Sequence, residues 1–95
     1  MSDLRSVAGR VAVITGAASG MGAATARLFA AEGAVVAITD RDLAGCEKVA
    51  AECGPNARAF ALDVTDGDAI TRTVDRIAET FGGIDILVNN AGVSS

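Results

Sequence analysis

The chain has 95 residues, 51% of them apolar and three aromatic, which suits one small folded domain and excludes a disordered segment. A net charge of −4 and a sequence pI near 4.5 argue against a nucleic-acid partner, which needs a basic face. The longest uncharged run, Val11 to Ala26, is 16 residues with three glycines, too short for a bilayer, and no charged-then-apolar leader opens the chain, so a soluble cytoplasmic protein is expected.

After a polar leader to Arg10, Val11-Ala12-Val13-Ile14-Thr15 is an apolar, β-branched run stopped by Gly16. That is the pattern of a strand buried on both faces of a parallel sheet. Residues 20–32 are rich in Ala, with Leu28 and Phe29, a helix that Gly33 ends. Residues 34–40 repeat the buried-strand pattern. Asp42 is placed to cap a second helix with Leu43, Cys46, Ala50 and Cys53 on one apolar face, and Gly54-Pro55 closes it. Residues 57–62 read as a third strand. Thr65, with Asp68 three residues on, resembles a capping box for the longest helix. Ile70, Val74, Ile77, Ala78 and Phe81 form its predicted buried stripe. After Gly82-Gly83, residues 84–90 supply a fourth strand centred on Ile86-Leu87-Val88, with no charge or proline inside 86–90 to blunt an edge. The order βαβαβαβ predicts an α/β fold, a parallel sheet with helices on its faces and right-handed crossovers.

Cys46 and Cys53 are seven apart in one helix, about 10 Å along its axis, which is beyond disulfide reach. No second pair completes a zinc set, so both read as small buried residues in a reducing compartment and no metal is expected.

The turn Thr15-Gly16-Ala17-Ala18-Ser19-Gly20-Met21-Gly22 joins the first strand to the first helix, where a doubly wound sheet holds phosphates. Gly16 permits a tight turn, Gly20 lets backbone approach a pyrophosphate, and Gly22 lets the helix pack closely. The helix start offers free N–H groups to an anion, and Ser19 a hydroxyl. The spacing G-x-x-x-G-x-G, with no Lys after Gly22, excludes a P-loop. Asp40 ends the second strand 18 residues after Gly22, where a carboxylate reaches the adenosine ribose and repels a 2′-phosphate. That predicts NAD, with NADP less favoured. Arg41 next door argues the other way, since a guanidinium can pair with that phosphate. Asp42 reads as a cap rather than a ligand.

Thr15-Gly16-x-x-x-Gly20-x-Gly22, Asp63-Val64 after the third strand and Asn89-Asn90-Ala91-Gly92 after the fourth together resemble the short-chain dehydrogenase/reductase family. Met21 stands where the family usually has Ile. The resemblance implies a Rossmann-type doubly wound sheet with strand order 3-2-1-4. It implies that Asp63 accepts from the adenine amino group, that the Val64 backbone meets the ring, and that Asn90, Ala91 and Gly92 line the adenosine ribose. Asn89 reads as a strap between strands. The family's catalytic Ser, Tyr and Lys have no counterpart here, because the chain has no Tyr and its one Lys is Lys48.

Residues 1–95 are therefore expected to form the N-terminal, dinucleotide-binding half of a Rossmann domain without its catalytic half. The expected function is that of an NAD(P)-dependent oxidoreductase moving hydride between cofactor and a small alcohol or ketone, with these 95 residues inactive alone. The family implies a homo-oligomeric parent. The alternative is a stand-alone, non-catalytic dinucleotide-binding module. An empty-loop structural protein is disfavoured by Asp40, Asp63 and Asn90.

Overall fold

The computed structural model describes residues 7–90, so Ala91 and Gly92 lie outside the described residues. Seven elements alternate along the chain: β1 (Val11–Thr15), α1 (Gly20–Ala31), β2 (Val35–Asp40), α2 (Leu43–Cys53), β3 (Ala57–Ala61), α3 (Gly67–Phe81) and β4 (Ile86–Asn89). The strands form one sheet in the order β3-β2-β1-β4, and every pair is parallel, as the sequence predicts. β1 pairs Val11 with Val35 on one side and Ala12 with Ile86 on the other.

Alternation along the strands divides the core. Ile14, Val36 and Ile38 pack beneath α1 and α2, against Ala23, Ala26, Cys46 and Val49. Val13, Ala37 and Phe60 turn the opposite way and meet Ile77 of α3. Phe60 also sets its ring edge-on to Phe81, with centroids 6.3 Å apart. Small side chains on α1 let that helix lie close to the sheet, which is how an alanine-rich sequence still closes a core.

Polar side chains fasten the strands where the ladder ends. Asp85 Oδ2 accepts from the Val11 amide at 2.8 Å. The buried Thr39 hydroxyl donates to the Ile14 carbonyl at 2.9 Å. Asn89 Oδ1 accepts from the Thr15 hydroxyl at 2.8 Å, so Asn89 does strap neighbouring strands.

Three local expectations need adjustment. Asp66, not Thr65, caps α3, accepting from the amides of Asp68 and Ala69. A carboxylate directly before the first helical residue reaches those amides better than a hydroxyl one position earlier. Of the α3 stripe only Ile77 is buried; Ile70, Val74, Ala78 and Phe81 are half-buried. Leu43 is 42% exposed, and Val49 joins Cys46 as the buried pair of α2. Asp42 caps α2 as expected, accepting from the Gly45 amide at 3.0 Å. Among the described residues no helix is long and apolar enough to cross a membrane.

Candidate functional site

Because all four strands run parallel, their C-terminal ends meet at one edge of the sheet, and the loops leaving them gather there. Gly16 leaves β1 at φ +63° and Gly20 opens α1 at φ +60°, both in the left-handed region that side chains disfavour. A Cβ built on Gly20 meets nothing within 4 Å, so the space beside that backbone is open. A Cβ on Gly22 would collide with the Gly16 carbonyl. Gly22 thus serves contact between α1 and its own loop, a closer constraint than packing on the sheet. The Ser19 side chain makes no capping bond, which leaves its hydroxyl at the helix start, and Met21 is 73% exposed. The first-turn amides of α1 have no intrahelical acceptor, and the helix dipole adds positive potential there.

The loop is tied to the end of β2. The Ala17 amide donates to the Thr39 carbonyl at 3.0 Å, and the Ala18 amide to Asp40 Oδ2 at 3.2 Å. The other Asp40 oxygen accepts from the Asp42 amide at 3.1 Å. The Asp40 carboxylate is therefore oriented from both sides, half-buried at the loop's edge.

Beside it lies a cavity of about 300 Å³ whose lining includes Gly16, Asp40, Arg41, Asp63, Val64 and Thr65. Asp63 Oδ1 accepts two bonds from Thr65, from the hydroxyl at 2.6 Å and the amide at 2.9 Å. The hydroxyl bond first, then the amide bond, hold the Asp63 carboxyl below its usual range, and the nearby Arg41 charge adds to this. On the α2 side, burial pushes the Cys46 thiol up to about 12, with the charges of Asp40, Asp42 and Glu47 acting the same way. That cysteine stays a protonated core residue.

The structure thus gathers Gly16, Asp40, Arg41, Asp63 and Val64 around one cavity, with Ser19, Gly20, Met21 and Gly22 at the adjoining start of α1. Asn90 follows β4, and its Nδ2 is buried without an acceptor among the described residues. Two residues escaped the sequence reading. Gly45 sits where a Cβ would crowd both the Asp42 carboxylate and the Ala18 methyl, so it keeps α2 close to the glycine loop. Thr65, read as a cap, instead braces Asp63; the Asp-x-Thr spacing was the available signal.

A parallel sheet with a glycine turn from its first strand into a helix, and a carboxylate closing its second strand, defines a Rossmann-like α/β fold. The family model described as short chain dehydrogenase matches residues 10–95, and the chain belongs to that family. It is 55% identical over 84 residues to galactitol 2-dehydrogenase of Agrobacterium fabrum (strain C58), covering 88% of this chain and 33% of that protein. It is 47% identical over 89 residues to D-threitol dehydrogenase of Mycolicibacterium smegmatis, covering 90% of this chain and 34% of the relative. The chain spans about a third of the length of the curated relatives it matches. Among solved structures, 3-ketoacyl-(acyl-carrier-protein) reductase from Brucella melitensis complexed with NADH superposes with a TM-score of 0.82 at 46% identity, over 85% of this chain and 33% of that one. Hydroxysteroid dehydrogenase from Escherichia coli gives 0.89 at 35% identity, over 98% of this chain and 41% of that one.

Proposed function

We propose that this chain is the adenosine-binding, N-terminal part of an NAD-dependent short-chain oxidoreductase acting on a small alcohol or ketone. The observation that carries the reading is the cavity of about 300 Å³ with Asp40 and Asp63 both in its lining, beside an open glycine turn. In this reading the amides of Gly20, Met21 and Gly22 and the Ser19 hydroxyl face the pyrophosphate. Gly16 turns the chain beneath it. Asp40 accepts from the ribose hydroxyls, Asp63 from the adenine amine, and Val64 covers the ring. Asn90, with Ala91 and Gly92, lines the ribose, and Asn90 Nδ2, without an acceptor among the described residues, supplies a donor there. The donor set fits a dinucleotide, because amides and a helix start meet the anion while carboxylates meet hydroxyls and an amine. When bound, that cofactor supplies hydride exchange; these residues hold and orient it.

Asp40 carries the preference for NAD over NADP, since its charge opposes a 2′-phosphate. Arg41 lies in the same lining and attracts one. In the whole protein, NAD is expected to be preferred by at least about tenfold in kcat/KM, a difference of about 1.4 kcal/mol, and Asp40→Ala should narrow or invert that ratio. Equal use of both cofactors before mutation would transfer the decision to Arg41. The substrate class draws on the names of the two dehydrogenase relatives. Self-association of the whole protein rests on the family alone, and a cytoplasmic setting on two free cysteines.

The alternative reading, a stand-alone non-catalytic dinucleotide-binding module, rests on the same cavity and open glycine turn, which hold a nucleotide without any proton-transfer residue. Under either reading these residues alone should give no turnover with alcohols or ketones above a buffer control, because none can take the Tyr/Lys part in proton transfer.

A further inference from the structure

The Asp63 carboxylate is held on one side only. Both donors of Thr65, hydroxyl and amide, converge on Oδ1 at 2.6 and 2.9 Å. Oδ2 has no donor among the described residues. Asp63 and Thr65 line the same cavity, together with the apolar Leu62 and Val64. A carboxylate fastened at one oxygen keeps its plane and presents the other as an acceptor only.

We propose that Thr65 is a positioning residue that makes this cavity select a 6-amino purine over a 6-oxo purine, by pinning Asp63 Oδ1 and leaving Oδ2 for the exocyclic amine. The inference rests on the adenosine reading above and adds to it the residue that decides base choice. A 6-amino group donates to Oδ2. A 6-oxo group brings an acceptor toward an anion, which is repulsive. Hypoxanthine does carry a donor, its N1–H, but one atom further round the ring. A carboxylate free to swing follows that donor; a pinned one does not. Arg41 pulls the other way, toward a 6-oxo group, but it is exposed and its charge is the weakest influence on Asp63.

The test is equilibrium binding of ADP-ribose and of inosine diphosphate ribose to the whole protein that carries this chain, unmodified and as Thr65→Ala and Thr65→Ser. Thr65 is exposed, so neither change threatens folding. The unmodified protein is expected to prefer ADP-ribose about tenfold or more, and Thr65→Ala to cut that ratio about fivefold, the scale of one net hydrogen bond. Thr65→Ser should restore it. An NMR titration should show the Asp63 carboxyl rising toward its ordinary pKa in Thr65→Ala and returning in Thr65→Ser. An unchanged ratio in Thr65→Ala, or equal weakening of both ligands, reduces Thr65 to a turn residue and overturns the proposal. A preference of the unmodified protein for the inosine ligand also overturns it and gives base choice to Arg41. Failure of the unmodified protein to bind ADP-ribose at all brings down the adenosine reading itself, a result distinct from an unchanged ratio.

Discussion

One sheet carries two faces, and they are closed to different degrees. Under α1 and α2, Ile14, Val36 and Ile38 are completely buried. On the α3 face, among the described residues, the buried cluster is Val13, Ala37, Phe60 and Ile77. Beside that cluster lies an apolar cavity of about 330 Å³, lined in part by Val74, Ile77 and Leu87, and Leu87 is 64% exposed. Side-chain hydrophobicity does not explain the contrast, since Ala12 is fully buried while the larger Leu87 is not. Helix cover does. Two helices lie over one face, α1 through Ala23 and Ala26 and α2 through Cys46 and Val49, and a single helix lies over the other. Burial of a strand residue is set by what packs on it more than by its own side chain.

The largest expected effect tests the closed face. Ile14→Ala should cost about 2–5 kcal/mol in denaturant melting of the whole protein, because α1 and α2 leave no room to collapse into the void. A loss below about 1 kcal/mol would mean that this face is as loosely packed as the other. A second, smaller effect sharpens the same point through Cys46. Its thiol is raised to about 12 in the folded protein, so it stays neutral where an unfolded chain near the usual value of 9.0 has ionised. The folded state then holds more protons, and its stability should fall as pH rises from about 9 toward 12, while nothing is lost below that window. Cys46→Ala should reduce that pH dependence, leaving the part that comes from Cys53, whose thiol burial also pushes up. Rapid reaction of Cys46 with a thiol reagent at pH 8 would instead show the closed face opening. The smallest effect belongs to the open face. In the 95 residues by themselves, Leu87→Lys should change stability by less than about 0.5 kcal/mol, because the side chain sits mostly in water there. A loss of about 2 kcal/mol or more would erase the contrast.

The site divides along similar lines. The glycine turn and Asp40 were legible in the sequence because their chemistry is local: spacing along a strand-turn-helix unit places them without reference to the rest of the chain. Thr65 and Gly45 were not. Thr65 carries a capping signal that Asp66, one residue on, satisfies better, and its bond to Asp63 depends on how the chain leaves β3. Gly45 looks like any glycine in a helix. Its need arises only where α2 meets Ala18, 27 positions earlier in the chain.

Period, β-branched runs and glycine stops sufficed to determine seven elements in order, a parallel sheet and the turn where an anion would sit. Each of these is a property of contiguous residues, governed by backbone preference and by which side chains fall on one face. Tertiary structure alone decided that Ile77, but not Ile70 or Val74, is fully buried, that Asp40 fastens the glycine loop through Ala18, and that Asp63 is held at one oxygen, the other having no donor among the described residues. Those outcomes depend on the distance between segments far apart in the chain. Residue pattern fixes which side chains can meet, whereas packing of helices on the sheet fixes which ones do.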